Sequence, residues 1–487
     1  MTGRQYDLVV VGAGPAGMAA ALQGHKLGLK TCLLDEQPGV GGQIHRGVDR
    51  DLTGALRSDD PDARRGGALV AEFQASDIDY SPETIVWHLD PDGQMAVMRG
   101  DETEVLSYRH IILATGSIER PMPVPGWTLP GVMTAGAAQA TLKSAGIVPS
   151  GRIALCGTGP LLYLAAAQLM DAGADVRVLV DTQEKGRLRA ALPALPAALT
   201  APDYLLRGIP LLRAPANAGV EVVRSVGGLR VDGDDRARSV SWEVGGKTRT
   251  EEIDWVLLHQ GVVPNINLQQ AAGCDIVWND RQHCWQPVLD DWGVTSQPKI
   301  SVAGDSAGIL GGEAAQHLGV IAALGAAARL DRLTPAIAKQ KAAPAHRSLR
   351  RLKAIRPFLD ILYMPGREYR MAGKDTLACR CEEVTGGEVR SAIRSGCAGI
   401  YQIKMYTRCG MGPCQGRMCG LTIAEMVADE TGKPFSDVGE FRQRTPVKPV
   451  PLTALAKLPD AFSGLEIGDQ VSEKPVTAKP VTTEKVA

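Results

Sequence analysis

The sequence predicts an α/β protein built from two Rossmann-like domains and a small helical domain after them. Three observations carry this prediction. Near the N-terminus a short apolar strand at Asp7–Val11 runs through the glycine-rich turn "GAGPAG" into a helix that ends near Leu27. The same plan starts again at Arg152, with Gly157 in the position of Gly12. Two closely spaced cysteine pairs then follow near the C-terminus. A strand, tight turn and helix are the opening unit of a doubly wound fold, and a repeat this long indicates two copies of one domain type.

Composition limits the classes of function. The chain has 487 residues, enough for several domains, and its net charge of -1 with 4% aromatic residues offers neither the field nor the stacking surface that nucleic acid needs. No apolar run is long enough to span a bilayer, and the N-terminus lacks the charged and apolar regions of a signal peptide. We therefore expect a cytoplasmic location. Ten cysteines in so long a chain do not indicate a disulfide framework, and the clustered ones fit metal binding better.

The first glycine motif predicts binding of a dinucleotide. Gly12 permits the tight turn, Gly14 lets the backbone approach a pyrophosphate, and Gly17 allows close packing of helix and strand. The free N–H groups at the start of this helix attract phosphate. An acidic residue at the end of the next strand can accept hydrogen bonds from a ribose. The residues expected at this half of the site are Gly12, Gly14, Pro15, Ala16, Gly17, Asp35, Glu36 and Gln37.

Segments farther along favour FAD as the dinucleotide. "LLDEQPGVGGQ", "ATG" and "ISVAGDSAG" resemble three cofactor-binding segments of the thioredoxin reductase and glutathione reductase class of flavoproteins, over about residues 1–330. The resemblance implies that Asp305 binds the ribityl chain, and that the helix after it directs its N-terminus towards the pyrimidine end of the flavin. The further cofactor-binding residues that we expect are Gly42, Gln43, Val86, Thr115, Gly116, Gly304 and Asp305. Between these segments, residues 69–109 alternate apolar and polar side chains and predict a β-meander.

The second glycine motif is degenerate. Gly157 and Gly159 match the first two glycines, and Asp181 stands at the end of the following strand. Leu162 occupies the third position, where we expect it to push the helix from the strand and narrow the nucleotide groove. Binding of NAD(P)H at Gly157, Gly159 and Asp181 is therefore one of two interpretations that the motif leaves open. A vestigial site, or one for another adenine nucleotide, is the alternative.

The cysteine pairs predict a [2Fe–2S] cluster. Cys379 and Cys381 form C-x-C, and Cys414 and Cys419 form C-x4-C after a long insert. Helices are predicted at 387–396, inside the insert, and at 421–432, after the second pair. This small helical module resembles the bacterioferritin-associated ferredoxin type. Cys409 could replace Cys414 as a ligand, and a structural zinc site is the metal alternative.

The remaining cysteines are expected to be structural. We interpret Cys32 and Cys156 as buried structural thiols because they lie in strands next to apolar residues, and we expect Cys397 to be a core residue. Cys274 and Cys284 could form a metal pair, but two further ligands are missing.

Taken together, these segments resemble one family. "ATGSIERPMPVPGWTLPGVMTAGAAQ", "CRCEEVTGGEV" and "TRCGMGPCQGRMC" are similar to the FAD-containing α subunit of opine (octopine and nopaline) oxidases, hydrogen cyanide synthase and the proline and hydroxyproline dehydrogenases, over about residues 5–450. The resemblance implies a catalytic β subunit of the D-amino-acid oxidase type, which oxidises the C–N bond. A small ferredoxin-like γ subunit often joins, and some relatives hold FMN at the α–β boundary. The sequence itself shows no constellation of acid–base or nucleophilic residues, so we assign no catalytic residue to this chain.

The expected function is that of an electron-transfer subunit of a hetero-oligomeric amine or amino-acid dehydrogenase. A stand-alone NAD(P)H-dependent reductase and a scaffold without catalytic function are the alternatives. The expected domains are an FAD-binding domain (1–118 and 256–335), a second dinucleotide-binding-like domain (119–255), a helical connector (336–375), a [2Fe–2S] domain (376–432) and an extended, partly disordered tail (433–487). The basic run "HRSLRRLKAIR" in the connector is interpreted as a solvated face.

Overall fold

The computed structural model of the chain describes residues 4–48 and 61–458. From the N-terminus the elements are β1 (Gln5–Val11), α1 (Pro15–Lys26), β2 (Thr31–Leu34), α2 (Pro61–Gln74), β3 (Asp79–Ser81), β4 (Thr84–Asp90), β5 (Gln94–Arg99), β6 (Glu102–Leu113) and β7 (Ser117–Glu119). The next are β8 (Val132–Thr134), α3 (Ala135–Ala145), β9 (Arg152–Gly157), α4 (Pro160–Asp171), β10 (Asp175–Asp181), α5 (Arg187–Ala191), α6 (Leu195–Ala198), α7 (Pro202–Asn217), β11 (Glu221–Arg224), β12 (Gly227–Asp232), β13 (Ser239–Val244), β14 (Lys247–Glu252) and β15 (Trp255–His259).

The chain then continues with β16 (Val262–Pro264), α8 (Asn267–Ala271), β17 (Ile276–Asn279), β18 (Cys284–Pro287), β19 (Ile300–Val302), α9 (Gly312–Arg329), α10 (Pro335–Leu362) and α11 (Arg367–Arg370). The last elements are β20 (Leu377–Cys379), β21 (Val384–Thr385), α12 (Gly386–Arg394), α13 (Ile400–Thr407), α14 (Gly420–Thr431), α15 (Phe435–Val438) and α16 (Leu452–Leu455). Short 3₁₀ helices lie at Leu192–Ala194 and Gly304–Ala307.

The first domain is organised around a seven-stranded sheet in the order β3-β2-β1-β6-β5-β4, with β19 paired to β6. The strands β3, β2, β1, β6 and β19 run parallel, and β4 to β6 form an antiparallel meander. Their apolar side chains feed two cores, one beneath α1 and α9 and the other on the opposite face of the sheet. Because β19 returns to this sheet from far along the chain, the domain is discontinuous.

The predicted meander begins too early. Residues 61–74 form α2 rather than a strand, and the meander comprises only Thr84 to Leu113. Apolar and polar side chains alternate over only a few residues at the start of the predicted segment. Val70 and Phe73 lie three residues apart, and both pack from α2 into the first core. A helical spacing of buried residues therefore prevails over the short alternation.

The second domain holds a parallel five-stranded sheet in the order β11-β10-β9-β15-β8 and a separate antiparallel sheet of β12, β13 and β14. The strand β15 pairs with β8 and β9. The predicted boundary at residue 256 is therefore wrong, because Trp255–His259 belongs to this sheet rather than to the returning segment. The actual return is β16, which pairs with β7. A buried run such as "WVLLH" suits either sheet, so its composition does not show which one it enters.

The C-terminal region contains a long helix and a compact helical domain. The connector is α10, which packs on α9 through Leu349 and Leu352. Its lysines and most of its arginines face outward, whereas Arg356 and Asp360 form a largely buried ion pair. Helices α12, α13 and α14 enclose a separate core that also contains Val438 and Phe441.

The C-terminal segment (residues 439–458) packs against the first domain. Val447 lies in the core of that domain, and Ala454 packs beside Trp87. The first part of the predicted tail is thus ordered, and the end that we predict to be disordered, "SEKPVTAKPVTTEKVA" (472–487), lies outside the described residues. In the described part of the chain, no helix has both the length and the apolar character to cross a membrane.

Candidate functional site: a glycine-lined crevice and a cysteine cluster

The turn after β1 leaves no room for side chains. A Cβ atom on Gly12, where φ is +105°, would lie 2.4 Å from the carbonyl oxygen of Ala114. A Cβ atom on Gly17 would lie 1.7 Å from the carbonyl oxygen of Gly12. The turn is therefore wedged between the "ATG" strand and its own helix. The N-terminus of α1 therefore lies close to the carboxyl end of β1, where its free N–H groups can bind phosphate.

Two distant segments close over this turn. A Cβ atom on Gly42 would lie 2.8 Å from the Cα atom of Gly14, and one on Gly304 would lie 2.8 Å from the Cβ atom of Ala16. Helix α9 also presses on α1, since a Cβ on Gly319 would lie 2.1 Å from the carbonyl oxygen of Ala16. The glycines of "GAGPAG", "GVGGQ" and "AGDSAG" therefore line one crevice. A crevice walled by backbone at the carboxyl ends of parallel strands fits the pyrophosphate and ribityl chain of FAD.

The two acidic residues after β2 have different environments. Asp35 is buried, and its carboxylate accepts hydrogen bonds from the backbone N–H of Ala13 at 2.5 Å and of Gln37 at 2.7 Å. Burial raises the pKa of Asp35, although these two hydrogen bonds oppose the shift. Glu36 instead forms an ion pair with Lys448 of the C-terminal segment. Asp35 is thus the acid fixed beside the glycine-rich turn, where a ribose would lie.

The other predicted cofactor residues border the crevice in different ways. The carboxylate of Asp305 accepts hydrogen bonds from the N–H groups of Leu310 and Gly311, both at 3.0 Å, just before α9. The hydroxyl of Thr115 donates to the carbonyl of Asn265 at 3.0 Å, and the N–H of Asn265 donates to the carbonyl of Gly116. These bonds hold the crossover strands together.

Gln43 and Val86 differ in exposure. Gln43 is exposed, whereas Val86 is buried in the core beneath β4, so only its backbone is available to a ligand. Lys143, which sequence analysis missed, donates to the carbonyl of Gln43 at 3.1 Å and to that of Ile44 at 3.0 Å. A lone lysine in a helix gives no signal of such a role.

The second glycine turn keeps its backbone form, but the carboxylate of its acidic residue, Asp181, already accepts hydrogen bonds from the protein. Gly157 and Gly159 have φ angles of +143° and +108°, and a Cβ on Gly157 would lie 1.6 Å from the carbonyl oxygen of His259. Asp181 is 2% exposed, and its carboxylate accepts hydrogen bonds from the hydroxyl of Tyr163 at 2.7 Å and from the N–H of Gln183 at 3.0 Å. Burial raises the pKa of Asp181.

Leu162 lies between the helix and the sheet of the second domain. Its side chain is completely buried in the core between α3, α4 and the sheet. It therefore fills the space between helix and sheet, and the expected narrowing of the nucleotide groove stays a prediction.

A buried histidine lies beneath this second turn. His259 is 4% exposed, and its Nδ1 lies 2.6 Å from an oxygen of Glu119. The Glu119 carboxylate also accepts from the N–H of Gly136, at the start of α3, with distances of 3.1 and 3.2 Å. Sequence reasoning missed this pair because its members are far apart in the chain and join β15 to the end of β7.

Five cysteines gather in the C-terminal domain. The thiols of Cys409 and Cys419 donate to the sulfur of Cys379, which lowers the pKa of Cys379 and raises the pKa values of the two donors. The side chain of Cys381 pairs instead with Cys414. The predicted ligands thus form two neighbouring pairs, with Cys409 as a fifth thiol. In the part of the chain that the structure describes, however, no three His, Cys, Asp or Glu side chains are already arranged around a metal position.

The loops around these cysteines are tightly fitted. A Cβ on Gly412 would lie 2.2 Å from the Cβ of Cys381, and one on Gly416 would lie 2.4 Å from the ring of Phe441. Cys379, Cys409 and Cys419 are buried, Cys414 is half-buried and Cys381 is exposed. Thiolates are the ligands that iron–sulfur clusters require, so the chemistry of the donor set fits such a cluster. Cys274 and Cys284 are buried, and Cys274 donates to the hydroxyl of Thr295 rather than to a metal-binding partner.

A buried charge cluster joins the cysteine domain to the first domain. Glu425 on α14 contacts Nε2 of His283 and lies 2.6 Å from the Arg370 guanidinium, and all three side chains are largely buried. Nearby, the rings of Trp278 and Phe435 stack at 3.9 Å. The turn between β17 and β18 therefore holds the cysteine domain against the first domain.

Comparison with known proteins agrees with this architecture. Residues 6–329 match the family model of pyridine nucleotide-disulphide oxidoreductases, and residues 376–458 match the sarcosine oxidase A3 domain. The A subunit of opine oxidase from Agrobacterium tumefaciens is 43% identical over 95% of this chain and 93% of its own length. The chain belongs to the family of opine oxidase A subunits, which are oxidoreductases.

More distant relatives share the same length of chain. Hydrogen cyanide synthase subunit HcnB of Pseudomonas aeruginosa is 34% identical over 92% of this chain and 98% of its own length. Among solved structures, L-proline dehydrogenase from P. horikoshii matches with a TM-score of 0.67 at 20% identity, over 93% of this chain and 79% of that one. The predicted family is thereby confirmed, and the likeness to the solved structure shows the shared fold.

Proposed function

We propose that the protein is the FAD- and [2Fe–2S]-containing electron-transfer subunit of a hetero-oligomeric amine or amino-acid dehydrogenase. The donors proposed are opines, hydroxyproline, proline or glycine, and the C–N bond is oxidised on a partner subunit. The observation that carries the proposal is the pairing, in one chain, of a backbone-walled dinucleotide crevice with a cluster of five cysteines.

The crevice supports FAD through its shape. Glycines from three segments let the backbone pack closely around the turn, and backbone N–H groups orient the carboxylates of Asp35 and Asp305. The chain thereby supplies orientation and electrostatics to a flavin, which are the contributions that flavin chemistry requires from protein. When bound, FAD would accept electrons in pairs and the cluster would pass them singly.

The cysteine cluster supports an exit for electrons. Cys379 and Cys419 are buried against the domain core, whereas Cys381 and Cys414 lie on the solvent side. We propose Cys379, Cys381, Cys414 and Cys419 as the ligands. Cys409 keeps its place as the alternative to Cys414, because its thiol also contacts Cys379.

The partner is inferred from the names of the relatives. The opine oxidase and hydrogen cyanide synthase relatives are both named as subunits. We propose an FAD-dependent β subunit of the D-amino-acid oxidase type. A ferredoxin-like γ subunit is a further proposed member, with FMN held at the boundary between subunits. The cytoplasmic location stays a prediction from the N-terminal sequence.

A second candidate is an NAD(P)H-dependent reductase. The positive φ angles of Gly157 and Gly159 keep the backbone of a nucleotide-binding turn, which favours this candidate. Against it, Tyr163 occupies the carboxylate of Asp181. An anaerobic titration with NADH separates the two, since rapid bleaching of the visible flavin band would establish the reductase.

The proposed function is tested on the complex purified after co-expression with the partner subunit. We expect opines, hydroxyproline, proline or glycine to bleach the flavin under anaerobic conditions, and NADH to leave it oxidised. Failure of every amine donor to reduce the complex, with full reduction by dithionite, would contradict the proposal.

The role of the cysteines needs a separate variant. Cys414→Ser should abolish the electron paramagnetic resonance signal of the reduced cluster and the transfer of electrons to an external acceptor. Cys397→Ser is the matched control, because Cys397 lies at the edge of the same core without contacting the cluster. A scaffold without electron transfer would keep full activity in both variants.

A further inference from the structure

An exposed aromatic and methionine face lies beside the cysteine cluster. Helix α13 buries Ile400 and Ile403 on its inner side. On its outer side Tyr401 is 50% exposed, Met405 80% and Tyr406 66%, and Met411 in the following cysteine loop is 42% exposed. We call Tyr401, Met405, Tyr406 and Met411 the α13 face. Large apolar side chains grouped in this way mark interaction surfaces on soluble proteins.

Three residues of the α13 face lie on the helix itself. Tyr401 and Met405 are four residues apart and so lie one above the other, and Tyr406 lies about 100° further round the helix and widens the exposed surface. Contact surfaces are enriched in tyrosine, methionine and arginine, and methionine adapts its shape to different partners. The face has the composition of an interface, and no described element of this chain covers it, since these side chains are the exposed ones.

The charges around the face have one predominant sign. No aspartate or glutamate occurs from residue 395 to 424, a stretch that contains Lys404, Arg408 and Arg417. Arg408 is 67% exposed and pairs with Glu382 at 2.8 Å, so one acidic side chain does approach from the C-x-C loop, and Glu383 follows it. Lys404 is only half-exposed and lies over the ring of Phe441. Arg444 of the C-terminal segment adds to the positive charge near Lys404.

The face is also close to the sulfur atoms that reach solvent. Met411 lies between Cys409 and Cys414 in sequence, and the guanidinium of Arg417 donates to the carbonyl of Cys414 at 3.2 Å. Cys381 is exposed and Cys414 half-buried. A partner seated on the α13 face would therefore lie against the least buried side of the cysteine cluster.

We propose that the α13 face is the docking site for a small acidic protein that carries a one-electron centre near its own surface. This proposal rests on the proposed function, since it names the class of partner that receives electrons there. The cationic surroundings would steer an acidic partner, and the apolar side chains would hold it in a small and transient contact. A basic partner would meet charge of its own sign.

The experiment measures binding to the purified complex at low ionic strength. The probe is an oxidised acidic plant-type [2Fe–2S] ferredoxin, and a basic cytochrome c is the opposite probe. We expect saturable binding of the ferredoxin that weakens steeply as salt is added, because charged surfaces are screened within about 10 Å at 0.1 M ionic strength. We expect no comparable binding of the cytochrome.

Variants locate the site. The double variant Met405→Ala/Tyr406→Ala should weaken ferredoxin binding by about tenfold or more, since a few residues near the centre of an interface, with tyrosine enriched among them, contribute most of its affinity. Leu206→Ala is the matched control, because Leu206 is 64% exposed on α7 of the second domain. It should bind ferredoxin as the parent protein does.

Three results would overturn the proposal: ferredoxin binding unchanged in the double variant, loss of the catalytic subunit from the double variant on purification, or a change in self-association alone. The second result would assign the face to the catalytic partner, and the third would assign it to another copy of this chain. Binding is measured without amine donor, whereas the proposed function is measured by amine-dependent bleaching, so the failure of either one is distinct from failure of the other.

Discussion

Replacing Glu425 by alanine should loosen the cysteine domain from the rest of the molecule. The carboxylate lies 2.6 Å from the guanidinium of Arg370 and contacts His283, with side-chain exposures of 8% for Glu425, 14% for Arg370 and 15% for His283. Removing it would leave a buried guanidinium without its counter-charge. The similarly buried Arg120, which donates to the carbonyls of His283 and Gln282, adds a second positive charge nearby.

The size of the effect follows from this burial. Breaking one partner of a buried pair costs about 3–5 kcal/mol, because the remaining charge is left poorly solvated. Since water still reaches part of Arg370, we expect the lower end of this range, about 3 kcal/mol. A loss of that size should speed amide hydrogen exchange in α14 by about 100-fold, because each 1.4 kcal/mol is a factor of ten.

The assay is hydrogen exchange followed by mass spectrometry on peptides of α14. The control is Glu430→Ala on the same helix, whose partner Arg390 lies 3.1 Å away with both side chains more than 24% exposed. An exposed pair contributes less than about 1 kcal/mol, so exchange there should change by about fivefold at most. In Glu425→Ala/Arg370→Met the unpaired charge is gone, and part of the lost stability should return. Equal exchange in Glu425→Ala and Glu430→Ala would refute this account of the junction.

Two further predictions concern the flavin crevice and the C-terminal segment. Gly42→Ala should abolish flavin retention, because its Cβ would meet the Cα of Gly14 at 2.8 Å. Gly28→Ala is the control and should keep its flavin, because Gly28 has a similar positive φ but no atom within 4 Å of the added Cβ. The measurement is the flavin content of the two purified variants. Burial raises the pKa of Glu440 to about 7, so the folded protein binds a proton that the unfolded chain has lost, and stability should fall as pH rises from about 4.5 to 7. Glu440→Gln should remove up to about 3 kcal/mol of that dependence, as measured by urea unfolding across this pH range, and an unchanged pH profile in the variant would contradict the assignment.

The sequence predicted best those features that depend on local geometry. The strand, glycine turn and helix at Gly12–Gly17 require close backbone contact within a few residues, and the structure has these contacts. The helix inside the cysteine insert and the helix after Cys419 were also correctly predicted. The short α13 was missed because it has only two inward apolar residues and no side-chain cap.

Contacts between distant segments were the part that sequence could not supply. The pairing of Glu425 with His283 and Arg370, and of His259 with Glu119, joins residues that no local pattern connects. The assignment of β15 failed for the same reason, since strand composition does not identify the neighbouring strands. The grouping of Cys409 with Cys379 and Cys419 likewise depends on how the loops fold back.

The C-terminal segment has a consequence for the order in which the molecule is made. The N–H of Val447 donates to the carbonyl of Trp87 at 2.9 Å, and Lys448 pairs with Glu36 beside the first glycine-rich turn. Synthesis on the ribosome proceeds from the N-terminus. The first domain therefore cannot complete its packing with the C-terminal segment until almost the whole described chain has emerged. A message shortened at its 3′ end would therefore damage the domain encoded at its 5′ end.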